Sequence, residues 1–180
     1  YSRARNLHAG ARFIVEQRQG DFPHTYDEIL MIKGVGSYTA AAIASFAFGL
    51  PHAVVDGNVL RVVARSFGIE EPVDGTKGRK QVTDMVQQLI PAEQPGDFNQ
   101  AIMDFGALQC VPLHPHCDSC PMQAYCVAFA THTQESLPVK RHRVKQRERY
   151  FYYWVLRWKG CLYLHQRAAG DIWQGLYDFP

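Results

Sequence analysis

Residues 30–44, LMIKGVGSYTAAAIA, determine which fold this chain can adopt. A short Gly-Val-Gly turn separates two helix-forming stretches, and the alanines of the second stretch allow close helix packing. Gly34 and Gly36 permit positive φ in the turn and leave room for a phosphate beside the backbone. The free N–H groups at the start of the second helix would face that phosphate. The segment therefore predicts a helical hairpin, either phosphate-binding or merely tightly packed.

The sequence on both sides of this hairpin is also helical in pattern. Thr25 and Glu28 form a capping box that opens a short helix, and glycines such as Gly49 and Gly68 mark helix ends. Arg61 and Arg65 share one helix face and are predicted to be solvated or ion-paired at the surface. The predicted helices cover about residues 2–19, 26–32, 38–48, 58–66, 80–90 and 98–108. Residues 1–131 are thus predicted to form a helical domain.

The pattern changes after this helical part. Residues 137–149, LPVKRHRVKQRER, hold six Lys or Arg against one Glu, so residues 132–149 read as a basic linker, which could be a solvated tether or contact phosphates. Aromatic and β-branched residues follow at 150–156 and 161–164, with a Lys-Gly hairpin turn between them. Residues 150–180 are therefore predicted to begin a second, β-containing domain. Both ends of the chain are expected to be cut from a longer protein.

Composition excludes two broad classes of protein. Hydrophobic residues make up 47% of the 180-residue chain and charged residues 20%, with a formal net charge of +2, which argues against wholesale disorder. The longest nearly apolar stretch, residues 40–50, is too short for a membrane helix. We expect no membrane partner and a monomer.

The cysteines indicate a metal site. Four of the five fall within seventeen residues in a C-x6-C-x2-C-x5-C pattern, namely Cys110, Cys117, Cys120 and Cys126. Clustering in one loop favours metal binding in a reducing compartment such as the cytoplasm over a disulfide framework. Four thiolates suit a [4Fe–4S] cluster or a tetrahedral zinc ion, and the single C-x2-C pair favours the cluster. The fifth, Cys161, is predicted to be a buried small hydrophobe.

The hairpin and the sequence after it, FGLPHAVVDGNVLRVVAR, resemble the helix-hairpin-helix DNA glycosylase superfamily. In that superfamily a Gly/Pro loop and a catalytic Asp follow the hairpin, and Gly49, Pro51 and Asp56 stand here in that order. The resemblance implies that the hairpin grips a DNA phosphate, often through an alkali cation held by backbone carbonyls. The DNA-contacting residues it suggests are Lys33, Gly34, Val35, Gly36 and Ser37 in the hairpin, with Lys140, Arg141 and Arg143 in the linker.

The same resemblance assigns roles to three further residues. Asp56 would stabilise the positive charge that develops on the sugar as the N-glycosidic bond breaks, although an Asp at this point is also an excellent helix N-cap. Asn58 would support that carboxylate. Relatives that also cut the strand, like endonuclease III, carry a Lys where Tyr38 stands, and a phenol cannot form their Schiff base. Tyr38 therefore implies a monofunctional enzyme, unless it is only an aromatic of the first helical turn.

Residues 160–180, GCLYLHQRAAGDIWQGLYDFP, resemble the start of the MutT-like domain of MutY-type adenine DNA glycosylases. The cysteine spacing is also that of cluster-bearing glycosylases, which implies a [4Fe–4S] cluster here. The resemblance implies removal of adenine mispaired with 8-oxoguanine or guanine in double-stranded DNA. The family's general-acid Glu is expected before residue 1, so the chain alone is expected not to excise adenine. The alternatives are an endonuclease III-like glycosylase/lyase and a non-catalytic, zinc-containing DNA-binding module.

Overall fold

The computed structural model describes residues 2–141 and 148–180. The helical part predicted from the sequence is confirmed. Two 3-10 helices, Cys117–Ser119 and Gln123–Tyr125, lie between the sixth and seventh α-helices. The α-helices described are α1 Ser2–Arg18, α2 Tyr26–Leu30, α3 Ser37–Phe48, α4 Gly57–Phe67, α5 Thr76–Leu89, α6 Pro95–Leu108 and α7 Val127–Ala130.

Local signals account for most of the helix ends. The predicted capping box is present, because the Glu28 N–H donates to Thr25 Oγ1 (3.4 Å) and the Thr25 hydroxyl donates to Glu28 Oε2 (2.9 Å). Gly49 and Gly68 end α3 and α4 with φ of 63° and 66°, the left-handed conformation typical of glycine at helix ends.

Helix α5 begins at Thr76, four residues before the predicted start. The sequence did not predict this earlier start because a glycine lies in the first turn, and glycine normally weakens a helix. Here Gly78 is needed because a Cβ at this position would collide with the backbone carbonyl of Pro72. The glycine therefore permits close backbone packing at the entrance to α5.

Helix α4 lies at the centre of the fold and packs against α5, α6 and α7. Its Val59 and Val63 are buried with Val82 and Val86 of α5 in the larger hydrophobic core. A second core joins α2 and α3 beneath the hairpin. The larger core thus holds the start of α4 in place, and the second core holds the hairpin.

The segment after α7, residues 133–141, runs back against the helical body, and we call it the return segment. Leu137 is buried, the carbonyl of Val139 accepts a bond from the Val73 N–H (3.0 Å), and the Arg141 N–H donates to Asp74 Oδ1 (2.9 Å). The first part of the predicted linker is therefore packed against the helices rather than extended into solvent.

Short strand pairs follow in residues 148–180. Strands β1 Arg157–Trp158 and β2 Cys161–Leu162 pair antiparallel across a turn in which Lys159 and Gly160 have φ of 45° and 80°, which confirms the predicted hairpin. Strand β3 His165–Gln166 pairs antiparallel with β4 Tyr177–Asp178.

Two sequence predictions for this part are wrong. Residues 150–156 form no strand, and Cys161 is exposed rather than buried. The physical reason is the same for both, because the side chains of residues 148–166 are exposed throughout and two-stranded ribbons are marginal without a packed layer. Within the described residues, no helix is long and apolar enough to span a membrane.

Candidate active site and cysteine loop

Asp56 is the N-cap of α4 and its carboxylate is held at both oxygens. Oδ1 accepts a hydrogen bond from the Val59 N–H (2.8 Å), and Oδ2 accepts one from Asn58 Nδ2 (3.1 Å). The residue is half-buried, and the positive end of the helix dipole favours its negative charge. The N-cap interpretation of Asp56 is therefore confirmed, and the cap fixes the direction in which the carboxylate points.

A chain of hydrogen bonds continues from Asp56 toward the first cysteine. Asn58 Oδ1 accepts from Arg61 Nη2 (3.0 Å). Arg61 also donates from Nη2 to the Gly106 carbonyl (2.6 Å) and from Nε to the Cys110 carbonyl (2.7 Å). Helices α4 and α6 approach closely here, because a Cβ on Gly106 would lie 2.7 Å from the Asn58 Cβ. The carboxylate and the cysteine loop are thus joined through Asn58 and one guanidinium.

Arg61 and Arg65 are only 8% and 3% exposed, so the prediction that they lie at the surface is wrong. Both guanidinium groups find acceptors among backbone carbonyls more than forty residues away in sequence. Burial lowers the pKa of Arg61 from its usual value, while the charges of Cys110 and Asp56 oppose that shift. No local sequence signal marked this burial, because Arg61 and Arg65 share the polar face of an amphipathic helix, which normally faces solvent.

The four clustered cysteines are free, half-buried thiols that line one cavity. Residues 110–126, which carry them, are called the cysteine loop below. Burial, together with the neighbouring Cys110, Cys120 and Cys126, raises the pKa of Cys117.

The donor set of this cavity suits a metal–sulfur group. Apolar side chains, among them Phe105, Met122 and Phe129, complete the cavity wall, and four thiolates are the usual ligands of a cluster in such a shell. Across residues 2–141 and 148–180, no three His, Cys, Asp or Glu side chains converge as the ligands of a single metal ion would. The four thiols nevertheless share one cavity, as the spacing of residues 110–126 predicts.

The hairpin turn exposes its backbone, as the sequence predicted. Gly34 has φ of 87°, and a Cβ there would collide with the side chain of Asn6. Gly36 is the N-cap of α3 and has φ of −96°, so the prediction of positive φ is wrong for this glycine. A Cβ at this position would meet no atom within 4 Å. Lys33 and Ser37 are exposed. The first turn of α3 has no side-chain cap.

Tyr38 lies in the first turn of α3, 45% exposed, with its hydroxyl 3.8 Å from Met103 Sδ. It lines a cavity of about 160 Å³ together with Val55, the residue before Asp56. His52 and Arg79 line the same cavity and were missed from the sequence, where no motif marks either of them.

Two of the three basic residues predicted to contact DNA outside the hairpin lie on the return segment. Lys140 is exposed, whereas the Arg141 guanidinium contacts Glu71 Oε1 at 3.3 Å. Arg143 falls outside the described residues. None of the contacts described joins this basic pair to the hairpin.

Comparison with known proteins places this arrangement among DNA repair enzymes. The helix-hairpin-helix motif matches residues 17–46. An adenine DNA glycosylase of Buchnera aphidicola (from Acyrthosiphon pisum) is 29% identical over the whole of this chain. The human adenine DNA glycosylase is 45% identical over 76% of it. The chain spans 51% of the length of the Buchnera protein and 25% of the human one.

Two solved structures of DNA-acting enzymes are similar in fold to the greater part of this chain. A thermostable thymine-DNA glycosylase superposes with a TM-score of 0.66 at 35% identity, covering 72% of this chain and 59% of that one. A non-covalent endonuclease III–DNA complex superposes with a TM-score of 0.61 at 28% identity, covering 73% and 59%. These matches confirm the predicted mainly helical fold.

Proposed function

We propose that this chain belongs to a protein that removes mispaired adenine from double-stranded DNA in base excision repair. The chain is a homologue of the adenine DNA glycosylases, which are members of the helix-hairpin-helix glycosylase superfamily. The substrate we propose is adenine opposite 8-oxoguanine or guanine. The observation that carries the proposal is the Asp56 carboxylate, fixed by the Val59 N–H and Asn58 directly after a hairpin with exposed backbone.

Asp56 would act on the sugar of the target nucleotide. The adenine must leave the base stack, because its glycosidic bond cannot be reached within the duplex. As that bond breaks, positive charge develops on the sugar, and the anionic carboxylate stabilises it. Since Asp56 is already held by two hydrogen bonds, it needs little rearrangement when the charge appears.

Tyr38 supports a monofunctional reaction completed by water. Its phenol lacks the amine that a Schiff base with the sugar requires, and its described contact is with Met103 Sδ at 3.8 Å. This residue argues against endonuclease III-like chemistry even though the fold is shared.

The hairpin would bind a DNA phosphate through backbone groups. The turn and the uncapped first turn of α3 offer N–H donors for an anion and carbonyls for an alkali cation. In this turn residues 33, 34, 36 and 37 are exposed and Val35 is half-buried. Contacts of this kind position the protein without reading the base sequence. Lys140, Arg141 and Arg143 would add positive charge along the backbone.

Cys110, Cys117, Cys120 and Cys126 would hold a [4Fe–4S] cluster. The cluster would cross-link a loop whose only helices are two 3-10 turns of three residues each. The Arg61 bond to the Cys110 carbonyl (2.7 Å) links that loop to the N-terminal half of α4, so that an ordered loop supports the position of Asn58 and Asp56.

The domain division that we propose has three parts. Residues 1–131 form the helical domain, residues 132–149 connect the domains, and residues 150–180 begin a MutT-like domain. We also propose that this chain lacks the Glu that protonates the departing adenine in the family it resembles, because none of Glu16, Glu28, Glu70 and Glu71 lies in a matching sequence context. The chain alone would then fail to excise adenine.

The test is an excision assay with the intact protein on a duplex that contains adenine opposite 8-oxoguanine. We expect strand breaks only after alkali treatment, because a monofunctional enzyme leaves an abasic site. Breaks without alkali would support the endonuclease III-like alternative. No abasic sites in any mismatched duplex would favour the DNA-binding module. The 180-residue chain, assayed in parallel, is expected to be inactive.

A further inference from the structure

Arg65 joins two parts of the chain that lie far apart in sequence. Toward the cysteine loop, its Nη1 donates to the Val111 carbonyl (2.7 Å) and its Nη2 to the Pro112 carbonyl (2.9 Å). Toward the return segment, its Nε donates to the Leu137 carbonyl (3.0 Å). One planar guanidinium therefore bridges both segments from the last turns of α4.

Arg65 also contacts two of the clustered cysteines, one through its side chain and one through its backbone. Its Nη1 lies 3.4 Å from Cys110 Sγ, and its backbone carbonyl accepts from the Cys126 thiol at 3.6 Å. Arg65 is only 3% exposed, and among its described hydrogen-bond partners there is no carboxylate. A buried cation is costly unless its surroundings compensate it, and metal-bound thiolates would supply the negative charge.

The return segment has few other attachments. It contains no helix or strand, and Leu137 is its only fully buried residue. Its described backbone bonds to the helical body are those of the Thr133 N–H to the Ala128 carbonyl, the Val73 N–H to the Val139 carbonyl and the Arg141 N–H to Asp74. Two exposed side-chain contacts add to them, Arg141 with Glu71 and Glu135 with His114. A segment held by isolated bonds opens locally at low cost, so the bond from Arg65 contributes much of its order.

We propose that Arg65 is a positioning residue through which occupancy of the cysteine loop controls the placement of the return segment, including Lys140 and Arg141. This inference rests on the proposed metal group at the four cysteines. An occupied loop holds the Val111 and Pro112 carbonyls in place, and they orient the guanidinium that binds Leu137. Loss of the group removes these fixed acceptors, and the basic residues lose their fixed position on the surface.

Hydrogen–deuterium exchange of the intact protein, before and after iron removal by a chelator, tests this coupling. We expect exchange in peptides covering residues 133–141 to become about tenfold faster or more on iron removal, as loss of charged hydrogen bonds predicts. Peptides from α5 should keep their protection. Iron and sulfide are measured in every sample.

Two variants separate the bridging role of Arg65 from its charge. Arg65→Lys keeps the charge near Cys110, but an ammonium lacks the planar fork that reaches both segments. We expect this variant to retain iron and its visible absorption while residues 133–141 exchange about tenfold faster even in the iron-loaded state. Arg12→Lys, at an exposed site on α1 paired with Glu16, is the matched control and should behave as the unmodified protein.

The outcomes distinguish this inference from the function it rests on. Unchanged exchange of residues 133–141 after verified iron loss overturns the coupling while leaving the metal site in place. Protein that binds no iron overturns both the cofactor and the coupling, whatever its activity. If iron removal unfolds the whole protein, the iron-loaded Arg65→Lys variant provides the test. Protection of its residues 133–141 equal to that in the unmodified protein would contradict the bridging role.

Discussion

Replacing Asp56 with Asn separates the two roles of this residue, the helix cap and the negative charge. The Asn side-chain oxygen can still accept from the Val59 N–H, which is 2.8 Å from Asp56 Oδ1, and Asn is as good an N-cap as Asp. The bond from Asn58 to Oδ2 (3.1 Å) is lost, since two amide NH₂ groups would face each other. We expect the free energy of unfolding to fall by about 1 kcal/mol.

The effect on catalysis should be much larger. A carboxylate about 4 Å from a developing positive charge contributes roughly 4 kcal/mol at an effective dielectric constant near 20. This corresponds to a loss of about 10³-fold in the rate of adenine release. Single-turnover excision by the intact protein measures that rate, and urea unfolding measures stability.

Asp56→Ala is the matched control for the cap. It removes both the charge and the cap, so it should lose a similar factor in rate and about 1 kcal/mol more in stability. The reasoning is refuted if Asp56→Asn retains excision within about tenfold of the unmodified protein, because the carboxylate would then serve only as a helix cap.

The remaining predictions concern the hairpin, the buried arginine and the phenol. Gly34→Ala should destabilise the protein by about 1–3 kcal/mol and weaken duplex binding, since φ is 87° and the methyl would meet Asn6. Gly36→Ala, in open space, should change the unfolding free energy by less than about 1 kcal/mol. Arg61→Met should lower the free energy of unfolding in urea by about 3 kcal/mol, because four described carbonyl and amide acceptors lose their donor. A decrease below about 1 kcal/mol would contradict the role given to Arg61. Tyr38→Phe should keep the excision rate within about threefold of that of the unmodified protein, because the described contact of the Tyr38 hydroxyl is a weak one, 3.8 Å from Met103 Sδ. A much larger loss would mean that the hydroxyl takes part in the reaction.

Features determined by neighbouring residues could be predicted from the sequence. The capping box at Thr25, the glycine helix ends and the Lys159–Gly160 turn all depend on contacts within a few residues, and the structure contains each of them. The N-cap role of Asp56 belongs to the same class.

Features determined by distant parts of the chain could not be predicted. The acceptors that bury Arg61 and Arg65 lie at Gly106 and Leu137, 45 and 72 residues away. Their carbonyls leave no trace in the local sequence pattern. The strand predicted over residues 150–156 failed for a related reason, because strand propensity is realised only when a partner layer covers the strand.

The identity of the released base tests the central claim most directly. The intact protein is incubated with duplexes that carry either adenine opposite 8-oxoguanine or an oxidised pyrimidine opposite guanine, and the free base is identified by mass spectrometry. The proposed function predicts that adenine is released from the first duplex and that no base is released from the second. Release of the oxidised pyrimidine without release of adenine would contradict it.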